Sequence, residues 1–297
     1  MTTDGTPAND AATIPHCYRH PDRETYISCQ RCERPICPDC MRSASVGFHC
    51  PECVKEAEAR SRTVRTSFGG RVTDGSNTVT VGLIVANALV FIAALASGGI
   101  NGSLVRTLIL IPQQVFVRDN GRLVALDGVA DGSYWQLITS TFLHTQPLHI
   151  LLNMVGLWIF GSFLESALGR WRFLTLYLLS GLGGSVAVYW LSPVNSSSLG
   201  ASGAVFGLFG AALVILLKQR RDVTQLLVLL GINLVFTFTA ANISWQAHLG
   251  GLVSGLLLGA GFAYAPRAQR QTLHVSMLAA FGVVLVLATL ARTAALT

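Results

Sequence analysis

The sequence predicts an all-α, polytopic membrane protein: a bundle of seven transmembrane helices preceded by a small cysteine-rich domain. Three observations carry this prediction. Of 297 residues, 51% are hydrophobic and only 12% are charged, far from the roughly one-quarter charged of soluble domains. Apolar runs of about 17 to 20 residues, enough to cross a hydrocarbon core of about 30 Å, lie at 79–97, 145–164, 173–191, 201–217, 224–241, 245–264 and 274–291. All seven cysteines fall between Cys17 and Cys53, which sets that segment apart from the apolar remainder.

Taken in order, the chain opens on a Thr/Ala/Gly/Pro/Asp leader, 1–13, expected to be disordered. The Cys/His domain follows at 14–55, then a linker, 56–77, made basic by Arg60, Arg62, Arg65 and Arg71. A six-helix core is expected over 78–265 and one further transmembrane helix within 266–297. With no apolar stretch in the first 70 residues, no secretory signal is read and the N-terminus is expected to stay in the compartment of synthesis. Basic residues fill every second short loop: Arg170 and Arg172, then Lys218, Arg220 and Arg221, then Arg267 and Arg270. The loops at 192–199 and 242–244 carry no charge. The positive-inside rule then places the N-terminus in the cytoplasm, the C-terminus outside and the long loop 98–144 outside. Its segment 104–117 is too short to span and is expected in the interface or against the bundle. The net charge of +6 is thereby read as orientation, and no nucleic-acid partner is expected. Two lysines against nineteen arginines point to a GC-rich bacterial genome and so to a bacterial plasma membrane.

Four gapped pairs organise the cysteine segment: Cys17 with His20, Cys29 with Cys32, Cys37 with Cys40, and Cys50 with Cys53. Eight ligands in two-residue-gapped pairs suit two tetrahedral Zn2+ sites, and a reducing cytoplasm disfavours disulfides. His16 and His49 each adjoin a ligand and offer an alternative to it. The spacing resembles the B-box zinc finger. That resemblance implies a cross-braced pair of structural sites, Cys17, His20, Cys37 and Cys40 in one and Cys29, Cys32, Cys50 and Cys53 in the other. Closed four-ligand sites leave no open position for catalysis, so the domain is read as a stable cap or as a recruiter of a cytoplasmic protein partner.

Ionisable and amide side chains within a span are costly and mark function by default. His149 and Asn153 are four residues apart and share a helix face, while Ser202 and His248 lie in two other helices. All sit within about 8 residues of the outer ends of three helices that run in the same direction, hence at similar depth. A neutral imidazole beside a hydroxyl is what an acyl-transfer nucleophile needs. Gly203-x3-Gly207 and Gly251-x3-Gly255-x3-Gly259 are small-residue stripes that let helices approach closely. On such a stripe Ser202 also reads as simple packing.

His149-Ile-Leu-Leu-Asn153, Gly200-Ala-Ser202-Gly203 and Ala247-His248-Leu-Gly250-Gly251, in this order over 79–264, resemble the rhomboid intramembrane serine proteases. The resemblance implies a six-helix bundle with Ser202 as nucleophile and His248 as base. It implies an oxyanion hole from His149, Asn153 and the Ser202 N–H, and no cofactor for catalysis. Phe206 falls where the family sets an aromatic ring against the histidine, and it reads equally as packing. Glu165 with Leu168-Gly169-Arg170 resembles a structural network, and His144 a supporting residue. Gln136, after Trp135, replaces an arginine usual in the family and removes a multidentate anchor from the external loop. The implied activity is endopeptidase cleavage of membrane-anchored or transmembrane protein substrates near the external side of the bilayer. The alternative is a catalytically silent rhomboid-like receptor that binds client helices and recruits a partner through its zinc domain.

Overall fold

A computed structural model describes residues 14–60, 65–70, 77–119, 121–240 and 243–297. The leader 1–13 and the linker arginines Arg62 and Arg71 lie outside the described residues. Residues up to 63 and those from 64 onward form two separate compact units.

The first unit is built from short pieces. Bridges pair His16 with Glu24 and Ser28 with Pro35. Strands β1 (Arg42–Ser43) and β2 (Phe48–His49) form an antiparallel hairpin, and α1 follows over Pro51–Arg60. Its buried apolar cluster consists of six cysteines and Ile36, with Cys32 packed against them. A core made almost wholly of thiols has little hydrocarbon to bury, so hydrophobic burial alone leaves this unit marginal.

The second unit is the helical bundle. Its long helices are α2 (Thr78–Ala96), α5 (Pro147–Leu168), α6 (Arg170–Leu191), α7 (Ser202–Lys218), α8 (Thr224–Thr239), α9 (Trp245–Tyr264) and α10 (Arg270–Leu296). Each falls on one of the seven predicted apolar runs. Five are long and apolar enough to cross a membrane, whereas α7 and α8 are shorter apolar helices. At 17 residues, α7 is about 25 Å long, less than a hydrocarbon core of about 30 Å. The chain is a multi-pass membrane protein, and its outward faces, such as Val283, Val284, Val286 and Leu287 on α10, are apolar and exposed as lipid contact requires.

The loop 98–144 holds more structure than its apolar content indicates. Two short helices, α3 (Ser103–Leu108) and α4 (Gln136–Thr139), flank an antiparallel hairpin of β3 (Val115–Asp119) and β4 (Arg122–Leu126). The segment 104–117, expected in the interface or against the bundle, divides between α3 and the residues just after it, with Val105, Ile109, Leu110 and Ile111 buried, and β3, where Val115, Phe116 and Val117 pair with Leu126, Ala125 and Val124. The Asn-Gly dipeptide at 120–121 between two short apolar runs is a hairpin signal, and Gly121 takes φ +80°.

Helices α6, α7 and α9 form the centre of the bundle. A Cβ placed on Gly251 would lie 1.9 Å from the Gly203 carbonyl oxygen, and one on Gly255 would lie 1.9 Å from that of Gly207. The small-residue stripes therefore bring the backbones of α7 and α9 into contact. Lipid tails give no hydrophobic drive for helix association, so such packing has to hold the helices together. Helix α8 buries only Leu226, Leu230 and Thr237, a single face at i, i+4 and i+11 spacing.

Glu165, at the far end of α5 and 2% exposed, accepts from the N–H groups of Val79 and Thr80 at 3.0 and 2.8 Å and from the Thr80 hydroxyl at 2.8 Å. One carboxylate thus satisfies two of the orphan amides at the start of α2 and favours that helix's dipole. Glu165→Ala is expected to lower stability by about 2–3 kcal/mol, read as a fall in the midpoint of thermal unfolding in detergent.

Candidate active site

Three segments converge at the end of the bundle where α5, α7 and α9 begin. The first is the approach to α7. The backbone of Leu110 pairs with that of Ser198 in both directions, at 3.1 and 2.9 Å, and Gly200 N–H donates to the Ser140 carbonyl at 2.9 Å. These bonds fix the chain before Ser202 against the 98–144 loop. Gly200 has φ +125°, and a Cβ there would stand 2.6 Å from the His149 ring. Only glycine allows that turn and lets the Cε1–Nε2 edge of the imidazole come this close to the backbone.

Ser202 is the first residue of α7 and is half-buried, between Ala201 and Gly203, which are both buried. The first amides of a helix have no intrahelical acceptor and carry the positive end of its dipole, so a developing negative charge beside Ser202 would meet free donors. His149 and Asn153 stand on the first two turns of α5. The Asn153 amide donates to its own helix at the His149 carbonyl, 2.9 Å away, which leaves its second N–H available. His144 is fully buried. Its Nε2 accepts from the Ala201 N–H at 3.3 Å, and its ring meets that of His149 edge-on at 5.0 Å. His144 therefore buttresses both the turn and the neighbouring histidine.

His248 lies one turn into α9 and is 8% exposed. The Phe206 ring, one turn after Ser202, stacks on its imidazole with centroids 4.2 Å apart and planes 13° from parallel. Of the two readings open at Phe206, the structure places the ring against the histidine. The opposite edge of the imidazole meets a residue that the motifs did not single out. His248 Nδ1 lies 2.7 Å from the Thr237 hydroxyl on α8, and that hydroxyl lies 2.7 Å from the Asn233 carbonyl, which can only accept. The Thr237 proton goes to Asn233, so its oxygen accepts from His248 Nδ1–H. Nε2 is left with a lone pair, the tautomer that a general base requires.

Gln136 is buried and doubly paired. Its carbonyl accepts from the Ile111 N–H at 3.1 Å, and its amide donates to the Asp127 carbonyl at 2.9 Å. Trp135 donates to the Thr107 carbonyl at 3.0 Å. A neutral amide thus ties the two halves of the 98–144 loop together where the family resemblance implies an arginine.

The Rhomboid domain family model matches residues 131–265, the stretch that holds every one of these residues on α5, α7, α8 and α9. Over 136 residues the chain is 39% identical to the "Putative rhomboid protease YdcA" of Bacillus subtilis (strain 168), an alignment that covers 44% of this chain and 68% of that protein. The chain belongs to the rhomboid family. It is also 39% identical over 137 residues to the "Rhomboid protease GluP" of the same organism, covering 44% of this chain and 27% of the relative. The "RHOMBOID-like protein 5" of Arabidopsis thaliana is 37% identical over 139 residues, covering 44% and 45%. The rhomboid match leaves out the cysteine unit.

That unit contains two clusters able to hold a metal ion, Cys17, His20, Cys37 and Cys40, and Cys29, Cys32, Cys50 and Cys53. Within each, the ligand atoms all lie within 4.8 Å of one another. His20 presents Nδ1, 3.3 Å from Cys37 Sγ and 3.5 Å from Cys40 Sγ. His16 and His49 belong to neither cluster. Burial opposes ionisation of Cys17 and Cys29, but backbone N–H groups aimed at their sulfurs outweigh it and hold both thiols down to about 6. Metal ligation needs the deprotonated form, and Arg34 adds a donor to Cys32 Sγ at 3.3 Å. The donor sets fit metal ions.

Proposed function

We propose that the chain is a serine endopeptidase of the rhomboid type, with Ser202 as nucleophile and His248 as general base. The observation that carries this reading is the seating of His248. Phe206 holds the ring face on the helix that begins with Ser202, and Thr237 holds Nδ1–H, so the basic nitrogen is the one left for the serine. The names of the two bacterial relatives, both rhomboid proteases, support it.

In this mechanism the Ser202 hydroxyl attacks the scissile carbonyl and its proton passes to His248 Nε2. The oxyanion of the tetrahedral intermediate is met by the Ser202 N–H and by side-chain donors from His149 and Asn153. Collapse breaks the C–N bond as the imidazolium returns the proton to the leaving amine. Water, deprotonated by His248, then attacks the acyl-enzyme and releases the acid product and the serine. Deacylation needs water at Ser202, and the half-buried position of that residue at the start of α7 leaves it open to solvent.

The substrates are transmembrane or membrane-anchored proteins cut near the external side of the bilayer. The loop charges put the N-terminus in the cytoplasm of a bacterial plasma membrane and the C-terminus outside. The N-terminal unit holds two structural Zn2+ ions and serves a cytoplasmic protein partner. The division into a leader, a 14–55 zinc domain, a linker, a 78–265 core and an added helix belongs to the same reading.

A fluorophosphonate probe should label the chain once, on the peptide carrying Ser202, as located by mass spectrometry. Labelling elsewhere, or none on a monodisperse preparation, contradicts the assignment. Thr237→Val should lower kcat by about 10- to 100-fold with little change in KM. That is less than the roughly 10⁴-fold seen when a protease triad loses its charged orienting group, because threonine is neutral. Thr237→Ser keeps the acceptor and should restore most of the rate.

A further inference from the structure

At the end of the bundle away from Ser202, three segments line an open cavity of about 580 Å³. They are the residues 65–70 ahead of α2, the start of α6 and the turn from α9 into α10. Four guanidinium groups line it, those of Arg65, Arg172, Arg267 and Arg270, together with the hydroxyl-bearing Thr66 and Ser67. Arg172 is 1% exposed, and a buried cation ordinarily has an anionic partner. Here its partners are neutral: His274 Nδ1 at 2.8 Å, the Gln271 side-chain oxygen at 2.8 Å and the Leu168 carbonyl at 3.5 Å. Arg270 donates to the carbonyls of Ser67 and Ala265, and Arg65 to that of Gly69. Among the described residues of this unit the sole ion pair is Arg170 with Glu165, and no carboxylate meets any of the four arginines. Positive-inside topology accounts for basic residues in loops, but it does not require them to face one another around a cavity with one of them fully buried.

We propose that this cavity binds a phosphate group. Its volume suits a small ligand, its guanidinium forks match phosphate oxygens, and the anion would supply the charge that Arg172 lacks. The cavity sits at the ends of transmembrane helices, on the face that the loop charges assign to the cytoplasm, where anionic headgroups gather around basic pockets. A phospholipid headgroup and a free phosphate share the recognised chemistry. The site is separate from Ser202 and does not depend on proteolysis.

Native mass spectrometry of the full chain in detergent tests this, with phosphatidylglycerol and phosphatidylcholine titrated separately and inorganic phosphate added as competitor. The wild type should bind one phosphatidylglycerol with about 10-fold or greater preference over phosphatidylcholine. Arg267→Gln with Arg270→Gln should remove that preference. Arg267→Lys with Arg270→Lys, which keeps the charge without the fork, should retain part of it and shows that the glutamine variant has not merely misfolded. Arg220→Gln with Arg221→Gln, in a basic loop outside the cavity, should leave it intact. Displacement of the lipid by inorganic phosphate assigns the pocket to a free phosphate, and resistance to displacement assigns it to the headgroup. Equal binding of both lipids, or a preference unchanged in the glutamine variant, overturns the proposal. Because binding is read on a Ser202→Ala background as well, its failure is distinct from any failure of the protease assignment.

Discussion

Stripping metal from the N-terminal unit should unfold it. Its buried cluster is six cysteines and one isoleucine, so the free energy that orders it has to come from ligation, roughly 10–16 kcal/mol for a structural Zn2+ site at neutral pH. Without metal, three thiols and an imidazole would be crowded in one cluster and four thiols in the other, a repulsive arrangement once they ionise in place of a cohesive one. Chelation under reducing conditions should therefore abolish the chemical-shift dispersion of residues 14–60. Metal analysis of the intact protein should return about two zinc ions per chain by the four-ligand rule. Cys29→Ser or Cys50→Ser should halve that figure. A folded, metal-free unit in reducing buffer would contradict the two-site reading.

Ser202→Ala and His248→Ala should each reduce cleavage by about 10⁴-fold or more, because nucleophile and base act as one unit. Neither loss should be accompanied by unfolding. Ser202 is half-buried at a helix start, and alanine there removes one hydroxyl. His248 packs on Phe206, so its replacement opens a small gap that α9, held to α7 along the glycine stripe, can tolerate. His149→Ala is milder in chemistry, since it removes one oxyanion donor of several, and should cost about 10²–10³-fold.

Hydropathy and spacing made much of this molecule legible before its structure. The seven apolar runs became helices because a backbone in lipid must satisfy its own hydrogen bonds. The two-residue gaps among Cys17 to Cys53 became two four-ligand clusters because that gap lets neighbouring ligands share one tetrahedron. The three polar motifs came together because their helices run in the same direction. Other features depend on how segments turn toward one another, which spacing does not express. Thr237 is an unremarkable polar residue in the sequence, and its role depends on the rotation of α8 that buries it against His248. The 115–126 hairpin does not show in the hydropathy, because VFV and LVAL are unbroken apolar runs with no alternation, and only the Asn-Gly dipeptide between them signals a turn. The arginines at 65, 172, 267 and 270 were explained singly by topology, and their place around one cavity follows only from the fold. Gln136 shows that loss of a charged anchor need not loosen a loop when both ends of an amide find backbone partners.

Cleavage of a single-span reporter in proteoliposomes, compared among the wild type, Ser202→Ala and His248→Ala, tests the serine–histidine assignment most directly. The dyad predicts a single cut by the wild type near the membrane face where α5, α7 and α9 begin, and no detectable product from either variant. Equal product from all three, or none from a folded wild type across several reporters, would contradict it.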